Sequence, residues 1–188
     1  RYRGQYKPIG WDELRRQRYE RLKAAGIIDA RWPLAPRPAR LPAWDEAPAE
    51  RREYWDHAMS IYAAQVTEMD DGIGRVLNSL RESGRADNTV VMFMSDNGGA
   101  PENPRRSLPG SVLGTRESFA AYAMPGAHVS SSPFRKTKRF THEGGIATPL
   151  IVRWPAGIAK EQHGELVREI GHFIDVMPVS YTHLTLPT

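Results

Sequence analysis

Two short stretches carry side chains that could do chemistry. In Ser95-Asp96-Asn97-Gly98-Gly99 a carboxylate stands beside an amide carbonyl directly after an apolar run. Asp96 and Asn97 offer two hard oxygens, the donor type that suits Ca²⁺ or Mg²⁺ rather than a thiol-seeking metal. In the second stretch, Arg135, Lys136, Lys138, Arg139 and His142 crowd ahead of Glu143-Gly144-Gly145. Lysine is a compact point charge for an oxyanion such as phosphate or sulfate. Both patterns have a plainer reading. Ser, Asp, Asn and Gly all favour turns, so 95–98 could be only a strand-to-loop turn, and the basic side chains could be only a solvated rim.

The elements that would position these residues are legible from periodicity. Thr89 to Met94 is a short run rich in β-branched and aromatic residues, bounded by Asp87-Asn88 and Gly98-Gly99. It predicts a strand of a parallel sheet, covered on both faces. In open parallel sheets ligands sit outside the carboxyl ends of strands, where Asp96 and Asn97 lie. Leu150 to Trp154 predicts a second strand. Glu50 to about Ser83 predicts a long helix closed by Gly84, with Ala58, Tyr62, Val66, Met69, Ile73, Val76 or Leu77, and Leu80 on one buried face. A helix followed at once by a strand is the αβ unit of a doubly wound sheet. Asp70 and Asp71 lie within that helix, have no ligand partner at helix spacing, and read as at least partly solvated.

Upstream, Trp11 to about Ala25 predicts a helix stopped by Gly26. Arg31 to Pro48 carries too many prolines for helix or central strand. It should run extended over the surface, docked by Trp32 and Trp44. Pro101 to Ser132 is long, polar and rich in Gly, Pro and Ser, and predicts a functional loop.

The chain has 188 residues, 40% of them hydrophobic and 26% charged, which suits one globular domain with a sizeable core. Its net charge is +4, with 26 basic and 22 acidic residues. That balance is compatible with an anionic substrate and argues only weakly for nucleic acid. There are no cysteines, so disulfides, thiolate metal sites and a cysteine nucleophile are excluded within this stretch. No apolar run approaches a membrane span. Arg1 is neither an initiator nor part of a signal peptide, and the chain reads as an internal piece of something longer.

Taken together, the segments resemble the sulfatase family, in the arylsulfatase-type branch of the alkaline-phosphatase-like superfamily. The resemblance rests on Met69-Asp70-Asp71-Gly72-Ile73-Gly74-Arg75-Val76-Leu77, on Ser95-Asp96-Asn97-Gly98, and on Pro133-Phe134-Arg135 through Lys138 to His142-Glu143-Gly144-Gly145-Ile146-Ala147-Thr148-Pro149. Leu150 to Pro155 and Gly171 to Pro178 continue it, and Tyr2 to Tyr6 with Gly10-Trp11-Asp12 is similar to an insertion typical of the branch. It implies an α/β sandwich with a mostly parallel central sheet flanked by helices, present here as a fragment. Residues 1–179 would be part of the catalytic domain, with 1–49 a surface insertion and 50–179 the αβ core. Residues 180–188 break the expected helical pattern and read as a foreign or read-through tail.

The resemblance also implies roles. Asp96 and Asn97 match the second half of a divalent-cation site, usually Ca²⁺, that holds a sulfate oxygen. Lys138 matches the lysine that contacts the sulfate and stabilises charge on the leaving ester. His142 is a further candidate contact, a helix-end role being its rival, and His172 and Asp175 are expected to order a helix start. The family's formylglycine nucleophile and the paired aspartates of its metal site have no match here and are expected upstream of Arg1, so residues 1–188 alone should be inactive. The implied substrate is a sulfated small molecule or carbohydrate, and the implied compartment periplasmic or extracellular. A phosphodiesterase or phosphonate monoester hydrolase of the same superfamily is the nearest alternative. A non-catalytic module that binds an anionic polymer is the alternative of another class.

Overall fold

The computed structural model describes residues 1–103 and 107–176. In chain order they form α1 (Gly10–Ala24), α2 (Ala49–Glu82), β1 (Val91–Met94), α3 (Ala123–Ser130), α4 (Glu143–Ile146), β2 (Leu150–Arg153) and a 3₁₀ turn at Lys160–Gln162. Both long helices end in the same way. Gly26 and Gly84 take left-handed backbone angles, with φ of 67° and 68°. The next amide then reaches back five residues, Ile27 N–H to Leu22 O at 3.0 Å and Arg85 N–H to Leu80 O at 2.9 Å. Glycine makes that reversal without a Cβ penalty. In α1, Asp12 and Glu13 occupy the first turn and Arg21 and Lys23 the last, which complements the helix dipole.

The core is built from aromatic side chains that the flanking segments bring onto the start of α2. Trp11, Leu41, Ala47, Trp55, Met59 and Val129 are buried together. The Trp11 ring meets Trp44 at 4.7 Å and Trp55 at 5.6 Å, both near perpendicular. Such edge-to-face contacts add to the area the rings bury. The proline-rich segment is thus docked through Leu41 and Trp44, whereas Trp32 is 44% exposed and leans on Phe134. α1 also packs on α3. Asp56 on α2, itself buried, accepts backbone N–H bonds from Gly4, Tyr6 and Lys7 at 2.8–2.9 Å.

Three expectations need correction. The buried face of α2 does not run its length: burial is confined to Trp55 through Ser60, while Tyr62, Val66, Met69 and Val76 are exposed. The apolar stripe is present, but its second half is at most half-buried, with Ile73, Leu77 and Leu80 partly covered. The strand Thr89–Met94 is also not a covered parallel strand. β1 pairs antiparallel with β2, in the register Val91 to Arg153 and Met94 to Leu150. Met92 and Phe93 are about two-fifths exposed, and these two strands are the only sheet among the described residues. The parallel sandwich therefore does not appear in this part of the chain. Finally, the stretch from Pro101 to Ser132 is not all loop, since it contains the buried helix α3. Pro125 sits in that helix's first turn, where a missing N–H costs nothing.

Candidate active site

The loop after β1 and the basic loop before β2 are joined backbone to backbone. Gly98 N–H donates to Gly145 O at 2.9 Å and Lys138 N–H to Gly99 O at 3.0 Å, while Gly144 N–H donates to Arg135 O at 3.2 Å within the basic loop itself. Two hydroxyls reinforce the seam: Thr148 Oγ1 donates to Ser95 O at 2.8 Å, and Ser131 Oγ accepts from Gly99 N–H at 3.2 Å. Approach this close requires glycine. A Cβ at Gly98 would fall on the Gly144 carbonyl, one at Gly145 on the Phe140 carbonyl, and one at Gly99 would lie 2.6 Å from Ala127 O. Gly98 thus serves the close packing of the two loops, Gly99 the packing of its loop on α3, and Gly145 the packing of the basic loop on itself.

Asp96, Asn97 and Lys138 are brought together by that seam. Asp96 is exposed and no basic side chain among the described residues pairs with it. Asn97 is half-buried, and its Nδ2 donates to Gly98 O at 2.8 Å. That bond fixes the amide and leaves Oδ1 free to accept. The two side chains therefore fit part of the oxygen shell of a hard cation. They do not complete it, since Ca²⁺ takes six to eight oxygens and the described residues hold no group of three or more acidic, His or Cys ligands.

Lys138 is half-buried and lies between two residues in left-handed conformations, Lys136 at φ 68° and Arg139 at φ 80°. Side chains other than glycine rarely adopt these angles, and such strain gathers at functional loops. Arg139 is held there by Glu102, Nε to Oε1 at 2.7 Å. His142 is exposed, starts α4 as its N-cap, and stands edge-on to Phe140 at 6.2 Å. Its carbonyl accepts Gly145 N–H at 2.7 Å, so its backbone role is to begin the helix. Asp70 and Asp71 are exposed on α2, remote from any ligand set. His172 N–H donates to Asp175 Oδ2 at 2.8 Å, which is the helix-start arrangement expected of that pair.

The residues that sequence reasoning passed over are Glu102, Ser131 and Thr148. Ser131 and Thr148 bind the seam through one hydroxyl each, and Glu102 holds Arg139 of the basic loop. The signal available was slight: Glu102 and Thr148 each lie three residues beyond a glycine pair, and Ser131, far from both in sequence, gave none. Met177 to Thr188, which include the suspected tail, lie outside the described residues.

Comparison with known proteins adds a pattern of likeness across the whole chain. The family model described as Sulfatase matches residues 4–186. An uncharacterized sulfatase of Schizosaccharomyces pombe is 34% identical over 99% of this chain and 35% of its own length. An arylsulfatase of Klebsiella aerogenes is 33% identical over 96% of this chain and 40% of its own. A mouse steryl-sulfatase is 38% identical over 62% of this chain. The chain thus spans about two-fifths or less of the length of the first two relatives. No described helix is long and apolar enough to cross a membrane.

Proposed function

The chain belongs to the sulfatase family, and on that premise we propose that the protein it comes from hydrolyses sulfate esters at the seam between the two loops. Lys138 holds the sulfate through its ammonium and opposes charge that develops on the ester oxygen. Asp96 and Asn97 supply oxygens to a Ca²⁺ ion, whose chemistry there is to polarise and hold a sulfate oxygen. His142 offers a further polar contact at the mouth. A formylglycine nucleophile and the remaining metal ligands belong, in this reading, to the part of the relatives' length that this chain does not span. What this chain contributes is preorganised positive charge around an oxyanion, which costs no reorganisation as the reaction proceeds.

The observation that supports this reading most is the 3.0 Å bond from Lys138 N–H to Gly99 O. It ties the ammonium-bearing residue to the loop that presents Asp96 and Asn97. The substrate class is a sulfated small molecule or carbohydrate. The test is turnover of sulfate and phosphate esters of one phenol by the full-length protein. Lys138→Ala should lower kcat/KM on the sulfate ester by about 10²–10³, the usual loss for one charge-stabilising donor. Chelation followed by Ca²⁺ addition should abolish and restore the rate. Faster phosphate turnover, or indifference to both changes, would reject the assignment.

A further inference from the structure

Lys138 is held from two directions by one short stretch of the loop after β1. Its own N–H donates to Gly99 O at 3.0 Å. Arg139, the next residue, pairs through Nε with Glu102 Oε1 at 2.7 Å, and Glu102 stands three positions beyond Gly99. One contact fixes the peptide that enters the Lys138 Cα, and the other fixes the residue that follows it. The supporting stretch is itself anchored: Gly99 N–H donates to Ser131 Oγ at 3.2 Å, and Ala100 N–H to the Tyr122 hydroxyl at 3.3 Å. A side chain is placed only as firmly as the shell behind it.

Arg139 does not take its conformation unaided. Its φ of 80° lies in the region that side chains other than glycine rarely adopt, and such strain persists only where the surroundings impose it. Packing does not impose it, because the Arg139 side chain is 72% exposed, and Glu102 is its one ion-pair partner among the described residues. The second oxygen of that carboxylate, Oε2, is closed off from solvent with no partner among the described residues. Partial desolvation of this kind strengthens the hold on the one cation. The neighbouring cations leave Lys138 to the substrate. Lys136 lies over the Phe140 ring at 4.8 Å and Arg139 is taken by Glu102, whereas no carboxylate among the described residues pairs with Lys138.

We propose that Glu102 is a positioning residue for sulfate ester hydrolysis: by holding Arg139 in its left-handed conformation it sets where Lys138 meets the sulfate. The inference rests on the sulfate-ester reading above. Glu102 touches no reacting atom in this scheme. Its effect passes through the backbone of Arg139 to the ammonium of Lys138.

The experiment uses the full-length protein, with 4-nitrophenyl sulfate and phenyl sulfate as substrates. Glu102→Ala and Arg139→Ala should each lower kcat/KM on 4-nitrophenyl sulfate roughly tenfold, less than the ~10² of a full 1 Å displacement because Lys138 keeps its bond to Gly99. The loss should be larger on phenyl sulfate, whose phenolate leaves less readily and relies more on Lys138. The urea unfolding midpoint should not move, since an exposed ion pair adds little to global stability. Arg139→Gly should turn over like the parent, because glycine adopts the left-handed angle without help. In a Lys138→Ala background, Glu102→Ala should cause no further loss, as expected of residues that act as one unit. Three results would overturn the positioning role while leaving the sulfatase reading intact. They are a parent-like rate in Glu102→Ala, a Glu102→Ala loss that multiplies with that of Lys138→Ala, or an Arg139→Gly defect as large as that of Arg139→Ala. A parent protein that turns over no sulfate ester, or is indifferent to Lys138→Ala, would instead defeat the sulfatase reading, and the positioning role with it.

Discussion

The tryptophan core and the loop seam are held together by opposite means. Around Trp11, cohesion comes from large side chains meeting at ring edges, with the Gly10 backbone pressed against the Trp44 ring. At the seam, the two loops touch backbone to backbone through Gly98, Gly99, Gly144 and Gly145. A core of the first kind tolerates small repacking and loses stability in proportion to the volume removed. A seam of the second kind has no slack: one added carbon displaces a loop, and with it the position of Lys138. Stability and site geometry are thereby assigned to different atoms of the same short chain.

The contrast can be broken at three places. Trp11→Ala should cost the largest amount, about 3–5 kcal/mol of stability, read from urea unfolding. Sulfate affinity of the fraction still folded should be unchanged, and a loss of that affinity before unfolding would show that the core also shapes the seam. Gly145→Ala should do the reverse. A displacement of the order of 1 Å at a reacting group lowers rate about 10²-fold, so kcat/KM should fall by that much while the unfolding midpoint moves less than in Trp11→Ala. If Gly145→Ala retains full activity, the seam has slack after all.

The third test sharpens the picture of the core. His128 is 2% exposed, and burial, aided by the positive charges of Arg15 and Arg37, lowers its pKa to about 4. The unfolded chain binds this proton more readily, so the stabilising contribution is complete above the ordinary histidine pKa of about 6.5 and declines as pH falls toward 4. The loss should reach about 3 kcal/mol, followed by denaturation at stepped pH. His128→Gln should flatten that part of the profile. An unaltered slope in the variant would assign the pH dependence to other groups.

Both long helices were legible to within a residue or so, because periodicity, a left-handed glycine stop and dipole-matched charges agree at Gly26 and Gly84. The two strands were also legible as strands. Their partnership was not, since the run from Thr89 to Met94 states that it is apolar and extended but not which neighbour it pairs with. The stripe on α2 misled about burial for a related reason. Val66, Met69 and Val76 record that a partner is wanted, whereas burial depends on whether one is present. α3 was hidden by Pro125 and Gly126, which read as breakers until the proline is seen to occupy a first turn. At the candidate site, Asp96, Asn97 and Lys138 were singled out by residue type and motif. The seam that joins them consists of main-chain atoms, which no side-chain pattern encodes.

The unshared edges of the β1–β2 ribbon bear on how this polypeptide behaves in bulk. Among the described residues each strand is paired on one side only, leaving rows of unmatched N–H and C=O groups beside exposed Phe93, Leu150 and Ile151. Thr89-Val90-Val91-Met92-Phe93-Met94 is uncharged, free of proline and rich in strand formers, the composition from which cross-β assembly nucleates. A single lysine gatekeeper, Met92→Lys, should therefore slow aggregation of the 188-residue polypeptide, read by light scattering over days of storage.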